Sequence, residues 1–131
     1  MPILTVKVSG EKNIRTTQAI TAMLLDRTTR ILGKKREVTA IAIDYIDRDA
    51  WLVGGELLSV QGRNSFYLDI KITDETNTKD EKARYIREVF DGFRTILGDV
   101  HEESYIHVND VRAAAYGFGG KTQEFRYQHP E

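Results

Sequence analysis

The sequence of 131 residues contains no cysteine. Disulfide bonds, thiolate catalysis and cysteine metal sites are therefore excluded together within it. Proline is also scarce, with only two in the chain. One of them, Pro2, directly precedes a stretch that alternates like a β-strand. A proline in that place has a structural and a chemical explanation, and other features of the sequence decide between them.

An excess of charge of either sign is missing as well. Lysine and arginine number 19, aspartate and glutamate number 20, and the net charge is -1. Such a chain offers no basic surface for nucleic acid or for an acidic membrane, so we expect neither partner. No apolar run approaches the about 18 residues that cross a bilayer, and the N-terminus lacks the pattern of a signal peptide. We expect a single cytoplasmic domain of ordinary globular composition.

Metal-ligand spacing is absent too. The three histidines are His101, His107 and His129, and no carboxylate motif accompanies them. Zinc and related metals are held by closely spaced sets of such ligands. We therefore expect no metal and no cofactor.

A regular succession of strand and helix patterns is present instead. Period-2 alternation of apolar and polar residues predicts strands over 3–9, 38–46, 66–73 and 104–111. A helical apolar pattern covers 13–32 and is followed by Gly33, a typical residue after a helix. Thr78 and Glu81 form a capping box that begins a second helix, whose apolar stripe ends at Gly98.

The two halves of the chain are similar to each other, which indicates an internal repeat. Three pairs of segments match at offsets of 64 or 65 residues: 4–10 (LTVKVSG) with 68–74 (LDIKITD), 29–33 (TRILG) with 94–98 (RTILG), and 50–55 (AWLVGG) with 115–120 (AYGFGG). Each half reads strand–helix–strand, which implies parallel strands joined by a right-handed crossover. We predict one α/β domain over 1–131. Its duplicated β-α-β units, about 2–62 and 63–127, form a four-stranded mixed sheet with both helices on one face.

The sheet face turned away from the helices, here called the open face, is predicted to carry an unusual mixture of side chains. Its residues are Thr5, Lys7, Ala40, Ala42, Asp44, Tyr67, Asp69, Lys71, Tyr105, His107 and Asn109. Solvent exposure explains the charged residues. The tyrosines and alanines favour the other explanation, in which neighbouring subunits cover the face.

Pro2 carries the chemical hypothesis. A proline at the first residue of a strand sacrifices no ladder hydrogen bond, which is the structural explanation. If the initiator methionine is removed, however, the proline nitrogen becomes a terminal secondary amine. Burial lowers the pKa of such an amine and lets it act as a base near neutral pH. Trp51 or Phe118 is a candidate wall for its pocket. Arg112 and Arg126 are candidate clamps for a substrate carboxylate.

These features resemble the tautomerase superfamily, in the long form that fuses two β-α-β units. The resemblance spans nearly the whole chain and rests on Pro2, the duplicated architecture and the two Gly-Gly segments. The stretch SYIHVNDVRAAAYGFGG (104–120) is similar to the C-terminal segment of the macrophage migration inhibitory factor branch. WLVGGE (51–56) resembles the segment that closes the short 4-oxalocrotonate tautomerases.

The resemblance implies a cofactor-independent isomerase that tautomerises a small keto or enol acid, with Pro2 as general acid and base. It also implies a homotrimer whose sites lie between neighbouring subunits. Lys34, Tyr105 and His107 match active-site positions, the last two contributed by the adjacent subunit. Trp51 takes the place of an aromatic residue that covers the proline pocket. With the candidates above, the predicted site is Pro2 as the catalytic residue and Lys34, Trp51, Tyr105, His107, Arg112 and Phe118 as substrate-binding residues.

Arginines used elsewhere in the superfamily are missing here. Glu11 and Lys12 stand where the short tautomerases have an arginine after the first strand, and Ala40 replaces their second-strand arginine. The arginine pair of the dehalogenase and decarboxylase branches corresponds approximately to Thr73 and Asn77. A decarboxylase, hydratase or dehalogenase that uses the same proline is therefore the less favoured alternative. A trimeric interaction protein with vestigial activity is the other alternative.

Overall fold

The repeat in the sequence is also a repeat in the fold, as the computed structural model of residues 1–130 shows. Each half forms strand, helix and strand and then ends in a short hairpin and a short helix. The first half contains β1 (Ile3–Ser9), α1 (Ile14–Arg30), β2 (Ala40–Ile46), β3 (Leu52–Val53), β4 (Glu56–Leu57) and α2 (Leu58–Gln61). The second half contains β5 (Phe66–Thr73), α3 (Lys79–Leu97), β6 (Tyr105–Val111), β7 (Gly117–Phe118), β8 (Lys121–Thr122) and α4 (Gln123–Gln128).

The four long strands form one mixed sheet in the order β2-β1-β5-β6. β1 is parallel to β2 and β5 is parallel to β6, whereas β1 and β5 at the centre are antiparallel. The starts of β1 and β2 therefore lie at the same end of the sheet as the final residues of β5 and β6. We call this the Pro2 end, and we call the opposite end, where Trp51 lies, the Trp51 end. The predicted α/β fold of duplicated units, with a mixed sheet and both long helices on one face, is confirmed.

Alternation along the two central strands builds the core between the sheet and the long helices. The fully buried residues of β1 and β5 are Leu4, Val6, Val8, Phe66, Leu68, Ile70 and Ile72. Phe66 stacks on Phe93 of α3, with ring centroids 3.9 Å apart. The predicted capping box of Thr78 and Glu81 begins α3. Within residues 1–130, no helix is both long and apolar enough to cross a membrane.

The structure differs from the sequence-based expectation between the long elements. β2 begins at Ala40 rather than at residue 38, because Arg36–Val38 forms a turn of 3-10 helix. The hairpins and the helices α2 and α4 are too short to show a period in the sequence. The Gly-Gly pairs do form tight turns, because their φ angles are positive, 62° and 79° at residues 54–55 and 61° and 79° at residues 119–120.

Tyr85 provides a test of the core that is independent of any function. It is fully buried, and its hydroxyl pairs with Thr28 Oγ1 at 2.9 Å. Tyr85→Phe leaves the Thr28 hydroxyl unpaired among apolar groups, so we expect the free energy of unfolding to fall by about 1–3 kcal/mol. The double variant with Thr28→Val removes both polar partners and should recover part of that loss. Denaturant unfolding measures the difference, and a double variant less stable than Tyr85→Phe alone would contradict this account.

Candidate active site

Pro2 lies at the bottom of a cavity at the Pro2 end of the sheet. The residue is buried, and its carbonyl accepts a hydrogen bond from Ala40 N at 3.1 Å, which continues the β1–β2 ladder. The cavity has a volume of about 390 Å³. Its lining is largely apolar and comprises Met1, Pro2, Ile3, Glu37, Val38, Thr39, Ala40, Tyr116, Gly117 and Phe118. Strand pairing therefore fixes the proline backbone against a space large enough for a small organic acid.

The chain terminus in this cavity is electrostatically perturbed. Burial, and then the positive charge of Lys34, lower the pKa of the Met1 α-amine below its ordinary value of 8.0. Burial also lowers the pKa of Lys34, and the carboxylates of Glu81 and Asp110 partly oppose that effect. A half-buried cation therefore lies near the terminal amine. It favours the neutral form of that amine and would attract an anion.

A loop between β5 and α3 holds Lys34 in place. Lys34 Nζ donates to Thr76 Oγ1 at 2.9 Å, and Thr76 in turn donates to the Thr73 carbonyl. Asn77 Nδ2 donates to the Leu32 carbonyl at 2.9 Å, which ties the loop to the segment after α1. Lys34 makes no ion pair within residues 1–130, so its charge remains available to a ligand.

Tyr116 contacts the chain terminus directly. Its hydroxyl donates to the Met1 carbonyl oxygen and also lies 3.3 Å from the carbonyl oxygen of Lys71. Burial raises the pKa of the Tyr116 hydroxyl. The hydroxyl therefore stays protonated and acts as a hydrogen-bond donor beside Pro2.

Phe118 and its neighbours form the rim of the Pro2 cavity. Phe118 lines the cavity, and the Arg126 guanidinium lies over its ring at 3.8 Å from the centroid. Arg126 also donates to the Phe118 carbonyl at 2.9 Å. Arg112 is exposed and directly precedes the 3-10 turn Ala113–Ala115. Of the two candidate carboxylate clamps, Arg126 is thus held against an aromatic ring, and Arg112 faces solvent.

A second cavity, of about 620 Å³, lies at the Trp51 end. Its lining includes Trp51, Phe66, Tyr67, Glu103 and Tyr105. Tyr105 is 61% exposed, and its hydroxyl donates to Glu103 Oε2 at 2.6 Å, an interaction that raises the pKa of Tyr105.

This second cavity is the counterpart of the Pro2 cavity in the repeat. Leu58 N donates to the Trp51 carbonyl at 2.9 Å, and in the other half Gln123 N donates to the Tyr116 carbonyl at 2.7 Å. Trp51 and Tyr116 are thus equivalent, and Phe66 stands beside Trp51 where Pro2 stands beside Tyr116. Of these two cavities, the Pro2 cavity is the one lined by residue 1.

His107 lies on the open face, at the middle of β6. Its Nδ1 is 3.6 Å from Asp69 Oδ1, and Asp69 Oδ2 forms an ion pair with Lys71 Nζ at 2.6 Å. The interaction with Asp69 raises the pKa of Lys71. The polar residues of the open face therefore interact with one another across β5 and β6.

Comparisons with known proteins identify the fold. No protein-family model matches the sequence, and no curated protein matches it. The structure is similar to a fused 4-OT symmetric trimer (TM-score 0.80, 15% identity, covering 93% of this chain and 96% of that chain). It is also similar to a macrophage migration inhibitory factor-like protein from Entamoeba histolytica (TM-score 0.75, 14% identity, covering 92% and 97%). A third similar structure is a malonate semialdehyde decarboxylase inhibited by 3-bromopropiolate (TM-score 0.74, 13% identity, covering 98% of each chain).

These three proteins share one superfamily. The chain has the tautomerase-superfamily fold. At identities of 13–15% the likeness is one of fold, and it agrees with the resemblance drawn from the sequence.

The tautomerase-superfamily fold separates the predicted site residues within one chain. Lys34 and Phe118 lie with Pro2 at the Pro2 end. Trp51 and Tyr105 lie at the Trp51 end. His107 is on the open face and Arg112 is in solvent at the end of β6. A single chain therefore does not bring all the predicted residues together.

Two residues of the Pro2 end are absent from the sequence-based prediction. Tyr116 could be found from the repeat, because it is the equivalent of Trp51, which the sequence does single out. Thr76 has no such signal, because its contact with Lys34 joins segments 42 residues apart through the tertiary structure.

Proposed function

We propose that the protein is a cofactor-independent tautomerase of a small α-keto or enol acid, with Pro2 as general acid and base after removal of Met1. The observation that carries the proposal is the perturbed chain terminus. The terminus lies in a largely apolar cavity, and burial and then Lys34 lower the pKa of the Met1 amine directly before Pro2. A base whose pKa is near the working pH is what keto–enol tautomerisation requires.

The residues of the Pro2 cavity suit the steps of that reaction. The Pro2 amine removes a proton from the carbon beside the substrate carbonyl and returns it elsewhere in the substrate. Because the Pro2 carbonyl is held by the β1–β2 ladder, the amine loses little orientational freedom on reaching the transition state. Lys34 is the group we assign to the substrate carboxylate, and Phe118 packs against the apolar part of the substrate.

A homotrimer completes this proposal. Trp51 and Tyr105 lie at the opposite end of the sheet from Pro2, so they reach a Pro2 cavity only if it belongs to another chain. The mixed, half-apolar open face is the surface that such neighbours would cover. The fused 4-OT structures to which the fold is similar are trimers, which supports the same assembly.

A Pro2-dependent decarboxylase is the second candidate, because one similar structure is a malonate semialdehyde decarboxylase. The residues at the arginine positions of that branch disfavour it. Asn77 uses its amide to bind the Leu32 carbonyl, and Thr73 uses its carbonyl to accept from Thr76. Lys34, which this loop contacts through Thr76, is the cation that we assign to the substrate, and one cation suits a monocarboxylate.

The substrate charge provides the test. Phenylpyruvate should tautomerise faster than its methyl ester, and Lys34→Ala should erase that preference. Loss of one charged hydrogen bond costs about 1.5–3 kcal/mol, or about 10- to 150-fold in kcat/KM for the acid. Lys35→Ala is the matched control, because Lys35 is exposed and adjacent. Equal rates for acid and ester in the wild-type protein would show that no residue here binds a substrate carboxylate.

Arg112→Ala tests whether Arg112, rather than Lys34, binds the substrate carboxylate. If the preference for the acid survives Lys34→Ala and disappears in Arg112→Ala, the carboxylate site lies at the rim. If the protein processed to begin at Pro2 tautomerises neither the acid nor the ester, the alternative of an interaction protein explains this chain better.

A further inference from the structure

The hydrogen bond between Tyr116 and Met1 marks a position beside the Pro2 nitrogen. The Met1 carbonyl carbon is bonded to that nitrogen, so standard amide geometry places the carbonyl oxygen about 2.2 Å from it. The Tyr116 hydroxyl donates to this oxygen. A donor is thus aimed at a point in direct contact with the atom that becomes the terminal amine.

Removal of Met1 takes this acceptor away and leaves the donor in place. Tyr116 is held through its backbone, because its carbonyl accepts from Gln123 N at 2.7 Å at the base of the β7–β8 hairpin. The other acceptor of its hydroxyl is the Lys71 carbonyl at 3.3 Å, a long hydrogen bond. In the processed chain the hydroxyl therefore loses its closer acceptor and keeps the longer contact with Lys71 and a backbone contact with Ile3.

We infer that Tyr116 is a catalytic residue whose hydroxyl donates to the carbonyl oxygen of the substrate, on the side of the Pro2 nitrogen where the Met1 carbonyl oxygen lies. The inference rests on the proposed tautomerase function and names the group that stabilises the enolate. It is independent of Lys34, which we assign to the substrate carboxylate.

The proton and electron balance of the step is simple. The Pro2 nitrogen takes a proton from the carbon beside the carbonyl, and the electron pair of that C–H bond forms the new C=C bond. The carbonyl π pair moves to oxygen, which becomes an enolate and strengthens its hydrogen bond from Tyr116. The enolate oxygen then takes the proton from the Pro2 ammonium, which yields the enol and restores the amine. Tyr116 keeps its own proton throughout.

The other half of the chain offers an internal comparison. Trp51 is the equivalent of Tyr116, and it stands beside Phe66 in a cavity without a terminal amine. At this position of the repeat, the residue with a hydroxyl donor is the one in the cavity that also holds the base.

The test uses the full chain processed to begin at Pro2, with the N-terminus verified by mass. Tyr116→Phe keeps the ring and deletes the hydroxyl. We expect kcat for phenylpyruvate to fall on the order of 10²- to 10³-fold, as for the loss of one oxyanion donor, with KM changed about twofold at most. The pH at which the rate rises should stay the same, because the base is untouched.

Tyr45→Phe is the matched control. It deletes a hydroxyl that bonds Thr17 Oγ1 at 2.7 Å, on β2 and away from the cavity, and it should leave kcat unchanged.

A second readout needs no variant. In wild-type protein carrying 13C at the tyrosine ζ position, bound keto acid should shift the Tyr116 resonance.

The outcomes separate the inference from the function on which it rests. An active wild-type protein whose Tyr116→Phe variant keeps half or more of kcat overturns the inference alone, as does a Tyr116 resonance that bound keto acid leaves unmoved. A higher KM with unchanged kcat also overturns it, because Tyr116 would then bind substrate without stabilising the transition state. A processed wild-type protein that neither binds nor converts keto acids overturns the proposed function and, with it, the role of Tyr116.

Discussion

A chain that carries an uncleavable extension ahead of Pro2 should lose nearly all tautomerase activity, by roughly 10²- to 10⁴-fold, the usual contribution of a general base. The extension keeps the Pro2 nitrogen as an amide, which has neither basicity nor a hydrogen to exchange. It also keeps residue 1 in the cavity wall next to the proline nitrogen, which a substrate would have to approach. Rates of phenylpyruvate tautomerisation for processed and extended proteins measure the loss.

The control for this experiment is the same extension placed after residue 131, at the other terminus. It should leave activity unchanged. Pro2→Ala in the processed chain substitutes a more flexible primary amine and should keep weak activity. An extended protein as fast as the processed one would reduce Pro2 to the role of a strand-start proline, and the proposed function would fail.

The pH dependence of the processed enzyme follows from the same amine. The neutral amine is the active form, so the rate should rise with pH through the Pro2 pKa and then level off. Burial and Lys34 lower the pKa of the Met1 amine in the unprocessed chain. Pro2 is buried in the same cavity, so we expect the same causes to place the rise below the pH at which a solvent-exposed N-terminal proline titrates. Lys34→Ala removes one of these causes and should move the rise to higher pH.

Two inactive variants should restore activity to each other when they are assembled together. The N-terminally extended chain lacks the base but keeps the Trp51 end. The Tyr105→Phe, His107→Ala double variant keeps the base but loses the groups that we expect a neighbour to contribute. In trimers mixed at random from equal amounts of the two chains, about a quarter of the sites combine an intact Pro2 with a neighbour's intact Tyr105 and His107.

Coexpression of the two chains, purified through different tags, provides the mixed trimers. Light scattering should give three times the 15.0 kDa chain mass for each preparation. Activity about one quarter of wild type in the mixture, with little in either parent, is the expected result. A wild-type protein that scatters light as a monomer, or a mixture no more active than its parents, would show that one chain holds the whole site.

Local patterns in the sequence determine the elements of this fold. Strand alternation at Leu4, Val6 and Val8 becomes the buried side of β1, because side chains alternate between the faces of any strand. The capping box of Thr78 and Glu81 begins α3 as predicted, because it satisfies backbone groups within one turn. The repeat determines the mixed sheet, since each half is a strand–helix–strand unit of the same hand. Pro2 itself is evident from the sequence because its chemistry depends on its place in the chain.

The grouping of the site residues is decided by the tertiary structure alone. Trp51 follows β2, which is parallel to β1 and therefore ends at the far end from Pro2. Tyr105 begins β6 at the same far end, because β5 and β6 run antiparallel to β1. The hydrogen bond from Tyr116 to Met1 joins residues 115 positions apart. No periodicity encodes such contacts, because they depend on how strands, helices and hairpins dock together. The sequence by itself therefore determined the elements, the repeat and the terminal proline, and only the docking of the two halves decided which side chains surround that proline.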